Sequence, residues 1–158
     1  MKKFLFDCGT RDATASYGIL ALRVMVGMMM LCGHGIPKIQ KYAAIKNVFY
    51  VPDFFPLCYM QPAVSLMACI GAEVAASILI ILGLSTRPAA FVLGFSMVVA
   101  VFGCQGSAPW FVSPPSVLEA KELGLLYIIP LITIILTGAG SFSLDAGIYI
   151  NHKRRWHP

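Results

Sequence analysis

The stretch that decides the fold is AVSLMACIGAEVAASILIILGL, residues 63–84, in which Glu73 is the only charged side chain. A helix that crosses a membrane needs about 20 mostly apolar residues, because each residue adds about 1.5 Å against a hydrocarbon core of about 30 Å. Pro62 precedes the stretch, and a proline in the first turn of a helix loses no hydrogen bond. The stretch therefore predicts a membrane-spanning helix that begins close to Pro62.

Three further apolar segments approach the same length, at about 17–36, 89–104 and 117–138. The chain of 158 residues is 58% hydrophobic and only 12% charged, with a mean hydropathy of +0.79, whereas soluble domains carry about 25% charged residues. We therefore expect an all-α integral membrane protein, a bundle of four transmembrane helices. Its transmembrane domain would be 17–140, between an N-terminal tail at 1–16 and a C-terminal segment at 141–158.

The positions of the lysines and arginines predict the orientation in the membrane. With an even number of spans both termini lie on one side, and that side carries more cations when it is the cytoplasm. Lys2, Lys3, Arg11, Arg87, Lys153, Arg154 and Arg155 fall on the terminal side, against Lys38, Lys41, Lys46 and Lys121 on the other. We expect an inner-membrane protein with both termini cytoplasmic. Nucleic acid is not an expected partner, because the cations lie at segment ends and form no basic patch.

Cysteine spacing and cofactor motifs limit the kinds of metal and cofactor site that the sequence predicts. The five cysteines form no C-x-x-C pair and no zinc-type spacing, and an odd number cannot pair fully within one chain. The sequence also carries no dinucleotide-binding fingerprint, no phosphate-binding loop and no haem attachment motif. We expect no metal and no recognisable cofactor, so electrons would have to come through a quinone or a partner protein.

Arg23 and Glu73 are the two charged residues that fall well inside the predicted spans. A charge at bilayer depth costs at least about 2.5 kcal/mol on insertion scales, so it needs a partner or a function. Arg23 lies about 9 Å and Glu73 about 16 Å from the cytoplasmic ends of their helices, and the length of an arginine side chain covers most of the difference. An ion pair between Arg23 and Glu73 is therefore expected, either as a structural link or as part of a site.

Four other polar residues are candidates for lining a pocket with this pair. His34 lies within about 20° of Arg23 around the first helix, because the two are eleven residues apart. Lys38 follows one turn later, and Glu119 and Glu122 stand near the outer end of the fourth segment. Alternatives remain open for each: His34 as a helix-end residue, Lys38 as a cation that reaches the membrane surface, and the two glutamates as solvated groups at a helix start.

Three segments of the sequence resemble one protein family. They are LRVMVGMMMLCGHGIPKI at 22–39, GAEVAASILIILGLSTRPAA at 71–90 and GAGSFSLDAGI at 138–148. Their content and order, across roughly residues 17–150, are similar to those of the DoxX/DoxD-like small membrane proteins. The resemblance implies a four-helix membrane bundle, and it points to Arg23, Gly27, His34, Lys38, Glu73, Arg87 and Asp145 as the matching positions.

The resemblance also implies a redox setting. The family takes its name from a subunit of an archaeal thiosulfate:quinone oxidoreductase. Where members often have a histidine near the outer end of the third helix, this chain has VFGCQG, with Cys104 and Gln105. This departure argues against a haem or metal held by two histidines. Asp145, after GAGSFSL, is expected near the cytoplasmic face, with Arg87 as a candidate ion-pair partner.

We therefore predict an accessory subunit of a membrane oxidoreductase system, with a polar intramembrane pocket for a quinone or another small apolar ligand. Its expected partners are the lipid bilayer and a membrane or peripheral redox protein, and self-association is left open. Two alternatives remain: a carrier of a small molecule or proton, and a structural membrane subunit without catalytic activity. Whether the protein is an enzyme is left open.

Overall fold

All of the regular secondary structure in the described part of the chain is helical. The computed structural model describes residues 12–112 and 120–148, and these ranges contain helices and no strand. The four long helices are α1 (Ala13–Gln40), α3 (Pro62–Leu82), α4 (Thr86–Cys104) and α5 (Lys121–Thr137), and α2 (Tyr42–Ile45) is a single turn after α1. The predicted all-α class is confirmed.

Three of these helices are long and apolar enough to cross a membrane. They are α1 with 28 residues, α3 with 21 and α4 with 19. Helix α5 has 17 residues and begins at Lys121, whereas the sequence pattern predicted a segment from about 117, and residues 113–119 lie outside the described part of the chain. The fourth span therefore stays a prediction.

Helix α1 is longer at both ends than the segment predicted at 17–36. It begins at Ala13 because the Asp12 side chain accepts a hydrogen bond from the Ala15 amide at 2.8 Å, which satisfies one of the free donors of a helix start. At the other end a π-helical turn, Leu31–Gly35, leads into the α-helical turn Ile36–Gln40. The helix therefore continues past Pro37 on the wider backbone of that turn.

The long helices pack as a closed ring in which α1 contacts α3 and α5, and α4 contacts α3 and α5. Glycines bring α1 close to α3. A Cβ atom on Gly27 would lie 2.5 Å from Cγ1 of Ile81, and one on Gly35 would lie 2.8 Å from Cγ2 of Val74. Small residues at such crossings let helix backbones approach each other in a membrane.

Apolar side chains occupy both the inside and the outside of this ring. The inside forms one core cluster: Val26, Met30, Ala76, Ile80, Ala89, Ala90, Leu93, Met97, Leu131 and Ile134. The outside exposes large apolar side chains, among them Met25, Phe91, Phe95, Ile129 and Leu136. An apolar outer surface of this extent suits helices whose surroundings are lipid.

Candidate functional site

A cavity of about 730 Å³ lies between the long helices and the loop that follows α2. Loop residues between Phe49 and Met60 line one side of the cavity, and residues of α1, α3, α4 and α5 line the rest. Most of the wall is apolar, with small side chains such as Ala68 and Ala72 on α3. The cavity falls within the range of about 300–1,000 Å³ that is typical of small-molecule sites.

The polar end of the cavity is formed by Lys38 on α1 and by Cys69 and Glu73 on α3. The Lys38 ammonium forms a salt bridge and hydrogen bond with Oε1 of Glu73 and lies 3.3 Å from Sγ of Cys69. The Cys69 thiol in turn donates to the same Glu73 oxygen at 3.4 Å. The Glu73 side chain is fully buried, whereas 25% of the Lys38 side chain is exposed. Lysine therefore presents the accessible charge of this group.

Two π-helical turns border the cavity. One is Leu31–Gly35 in α1, which contains His34, and the other is Ala100–Cys104 in α4. The His34 ring meets the Tyr127 ring of α5 edge to face, with the ring centroids 5.4 Å apart. Single π-helical turns within α-helices frequently occur at functional sites. Here they place His34 and Cys104 in the cavity wall.

The predicted ion pair between Arg23 and Glu73 is wrong. Glu73 pairs with Lys38, and Nη2 of Arg23 instead donates to the Phe142 carbonyl at 2.8 Å. The reason is the relative depth of the two helices. Gly35 of α1 packs beside Val74 of α3, so Glu73 lies at the same depth as Gly35, which is only about one helical turn from Lys38. Arg23 lies twelve residues from Gly35, about 18 Å along the helix.

Arg23 also lies apart from His34, although the two were predicted to share one face of α1. His34 lines the cavity and Arg23 does not. A Cβ atom on Gly83 would lie 1.8 Å from Nη1 of Arg23, so the guanidinium lies at the end of α3, near Phe142. The π-helical turn that contains His34 also shifts the angular relation expected from a regular α-helix. Arg23 therefore links α1 to the end of α3 and to Phe142, and it does not form part of the cavity.

The predicted pair of Arg87 and Asp145 is also replaced by other contacts. Asp145 is buried and accepts from the Ser85 amide at 2.8 Å and from the amide and hydroxyl of Thr86, both at 3.0 Å. Nη2 of Arg87 lies 3.5 Å from the Leu136 carbonyl. Asp145 thus caps the start of α4, which explains why that helix begins at Thr86 rather than at residue 89.

Of the two glutamates predicted to line the pocket, Glu119 lies outside the described residues. Glu122 is not part of the cavity wall. Its Oε2 accepts a hydrogen bond from the Val112 amide at 2.9 Å, and its own amide donates to the Trp110 carbonyl at 3.1 Å. Glu122 therefore binds the backbone at Trp110 and Val112 to the start of α5.

The sequence pattern did not identify Tyr127 as part of the site, because its contact with His34 depends on how α5 packs against α1. Cys69 had a signal, since it lies four residues from Glu73 and therefore on the same face of α3. Within residues 12–112 and 120–148, no three His, Cys, Asp or Glu side chains cluster closely enough to hold a metal ion.

Comparison with known proteins assigns the family. The DoxX family model matches residues 18–106, more than half of the chain. The chain belongs to the DoxX family. The predicted resemblance is thereby confirmed, and the three apolar helices agree with a membrane protein of this family. No solved structure matches the chain significantly.

One relative of this DoxX-family chain is an uncharacterized protein of Haemophilus influenzae (strain ATCC 51907 / DSM 11121 / KW20 / Rd). It is 38% identical over 73 residues, which are 46% of this chain and 54% of the relative. The chain thus spans about half the length of that relative. The DoxX match includes His34, Lys38, Cys69 and Glu73 but ends before α5, so Tyr127 belongs to the part of the cavity outside the matched region.

Proposed function

We propose that this DoxX-family protein binds a quinone, or another neutral apolar ligand with a carbonyl group, as an accessory subunit of a membrane oxidoreductase system. The observation that carries the proposal is the cavity of about 730 Å³ with an apolar wall and Lys38 at its polar end. The proposed setting is the inner membrane, where the bilayer would supply the ligand and a redox protein would exchange electrons with it.

The charges of the cavity favour a neutral ligand. Lys38 and Glu73 compensate each other, so a ligand with a net charge would enter an apolar cavity without a counter-ion, which is costly. An ammonium has three N–H donors, and the described contacts of Lys38 use two of them, with Glu73 and Cys69. The third donor suits a ligand oxygen such as a quinone carbonyl.

The apolar wall supports entry from the lipid. Phe95 lines the cavity and is also 45% exposed. It lies on the same face of α4 as the exposed Phe91, Val98 and Phe102, at intervals of three or four residues. An opening at Phe95 would therefore face the hydrocarbon core, where quinones with isoprenoid tails dissolve.

The test compares two alanines on α3 that differ in direction. Ala72 lines the cavity, whereas Ala75 is exposed and lies outside it. Quinone that co-purifies with the protein is extracted and quantified, and the affinity for an added quinone is then measured. Ala72→Phe should reduce that affinity at least about tenfold, a change of about 1.4 kcal/mol, whereas Ala75→Phe should leave it unchanged.

Equal quinone binding by both variants would overturn the cavity as the site. The alternative functions have their own measurements in vesicles that contain the purified protein. Uptake of a small molecule or proton that depends on an ion gradient would support a carrier. A protein that binds no quinone and transports nothing, but holds a partner in the membrane, would be a structural subunit.

A further inference from the structure

Lys38, Cys69 and Glu73 bring an amine, a thiol and a carboxylate into mutual contact at the polar end of the cavity. Nζ of Lys38 lies 3.3 Å from Sγ of Cys69, and the thiol donates to Oε1 of Glu73 at 3.4 Å. Cys69 is partly buried, whereas Cys32, Cys58 and Cys104 are exposed and have no hydrogen bond to a lysine among the described contacts. Among the described cysteines, Cys69 is therefore the one whose thiol lies in hydrogen-bond contact with an amine and a carboxylate. We call these three residues the amine–thiol cluster.

We infer that Lys38 and Cys69 form a covalent sulfur–nitrogen bridge when an organic hydroperoxide enters the cavity. A thiol that is oxidised to a sulfenic acid condenses with a backbone nitrogen to give a sulfenamide, and a neutral amine is a stronger nucleophile than a backbone amide. The Lys38 nitrogen is already in contact with the sulfur. An apolar hydroperoxide, such as an oxidised lipid chain, partitions into the bilayer and suits the apolar wall of the cavity.

The first step oxidises the sulfur by two electrons. The Cys69 sulfur attacks the terminal oxygen of R–O–O–H, the O–O bond breaks, and the sulfenic acid Cys–S–OH and the alcohol R–OH result. Oε1 of Glu73 accepts the thiol hydrogen bond, so it is placed to take the thiol proton and pass it to the leaving alkoxide. The hydroperoxide is the oxidant, and it is reduced to the alcohol.

The second step joins the two residues without a further oxidant. Lys38 transfers one proton to Glu73, and the neutral amine then attacks the sulfur. The S–O bond breaks and the oxygen leaves as water. The balance is Lys–NH₃⁺ + Glu–COO⁻ + Cys–S–OH → Lys–NH–S–Cys + Glu–COOH + H₂O. The product contains no charge, which favours it in an apolar cavity where an unpaired carboxylate would be costly.

The bridge would change the site in two ways. It would connect α1 to α3 covalently, and it would convert the Lys38 ammonium into a neutral group with one N–H. The charged donor proposed for the quinone carbonyl would then be lost, so the oxidised protein would bind quinone more weakly. This regulatory consequence rests on the proposed function, whereas formation of the bridge does not.

The test treats the purified protein with cumene hydroperoxide and follows it by mass spectrometry. Trypsin cleaves after Lys41 and Lys46, so it separates Lys38 from Cys69. The protein used carries Cys32→Ala, because Cys32 lies in the same tryptic peptide as Lys38 and a disulfide from it would give a product of the same mass. After oxidation the two peptides should remain joined through an uncleaved Lys38, with a combined mass lower by two hydrogen atoms, and dithiothreitol should separate them. Cys69→Ala should form no joined product, and neither should Lys38→Arg, which retains a cation beside Glu73.

Two results would overturn the bridge. One is gain of oxygen at Cys69 while the peptides remain separate, and the other is an unmodified Cys69 when the exposed cysteines are oxidised. Quinone affinity is measured on the same samples before and after oxidation. A joined product with no change in quinone affinity would sustain the bridge and remove the proposed ligand role of Lys38. Quinone binding without any joined product would remove only the bridge.

Discussion

Lys38 on α1 forms a salt bridge with Glu73 on α3, and this bridge connects the partly exposed end of a flexible side chain to a carboxylate that is fully buried. Oε1 of Glu73 also accepts from Cys69, whereas Oε2 is buried and receives no hydrogen bond from the described residues. The carboxylate therefore depends on Lys38 for compensation of its charge. Removal of either partner should be more damaging than removal of both.

Glu73→Gln should lower the free energy of unfolding by about 3 kcal/mol, because Lys38 would be left as an unpaired cation in an apolar cavity. The double variant Lys38→Met/Glu73→Gln should recover part of that loss. Chemical unfolding in detergent micelles measures each value. Lys41→Met is the matched control, since Lys41 is exposed, and it should be close to neutral. The single variant Lys38→Met completes the comparison, and a loss in the double variant equal to the sum of the two single losses would show that the two residues do not interact.

Gly83→Ala should destabilise the protein by more than about 2 kcal/mol. Gly83 ends α3 with a φ of 70°, a conformation that costs other residues about 1–2 kcal/mol, and an added Cβ atom would lie 1.8 Å from Nη1 of Arg23. The control is Gly71→Ala in the same helix, where no heavy atom lies within 4 Å of the added atom. That variant should be neutral or up to about 1 kcal/mol more stable. Similar unfolding curves for the two variants would contradict the described end of α3.

The apolar segments predicted the positions of the long helices because hydrophobicity and length are local properties of the sequence. Pro62, for example, was expected at the start of α3 and is its first residue. The helix ends were less accurate, since the caps depend on contacts that are distant in sequence. Asp145 caps α4 from 59 residues away from Thr86, and no local pattern around residue 86 contains that information.

The partners of the buried charges were predicted less well than the charges themselves. Both Arg23 and Glu73 are buried, as their positions in apolar segments required. To predict which charges pair, one must know the relative depth of the two helices in the bundle. From the sequence, that depth can be estimated only by counting residues from the predicted helix ends, and those ends are approximate. The π-helical turn at Leu31–Gly35 also changes the angle between residues on either side of it, and a calculation that assumes about 100° per residue does not include that change. Lys38 was therefore expected at the membrane surface or in a pocket, without an assigned partner.

Asp145→Ala should lower the free energy of unfolding by about 2 kcal/mol, because the partly buried Ser85 amide and the buried amide and hydroxyl of Thr86 would lose their acceptor. Thr86→Val removes only the hydroxyl and should cost about 1 kcal/mol. Thr86→Ser keeps the hydroxyl and serves as the control. Thermal unfolding of the purified variants gives the order. An effect of Asp145→Ala no larger than that of Thr86→Ser would contradict a capping role.

The proposed orientation predicts which cysteines an impermeant thiol reagent reaches in intact cells. Cys58 lies in the loop that follows α2 and is exposed, and this loop is expected on the outer side. Cys8 belongs to the predicted cytoplasmic tail and lies outside the described residues. A variant that keeps only Cys58 should be labelled in intact cells. A variant that keeps only Cys8 should be labelled only after the cells are permeabilised. Labelling at Cys8 alone in intact cells would reverse the orientation.

His34→Asn should weaken quinone binding at least about tenfold while it changes the free energy of unfolding by no more than about 1.5 kcal/mol, the upper range for one aromatic pair. The ring of His34 forms part of the cavity wall and contacts Tyr127 edge to face. Asparagine keeps a polar side chain at this position but cannot replace that ring. Cys32→Ala is the matched control, because Cys32 lies in the same π-helical turn, is exposed and does not line the cavity. Calorimetric titration with a quinone, combined with thermal unfolding, separates the two effects. If His34→Asn binds quinone as well as Cys32→Ala does, His34 only packs against Tyr127 and takes no part in ligand binding.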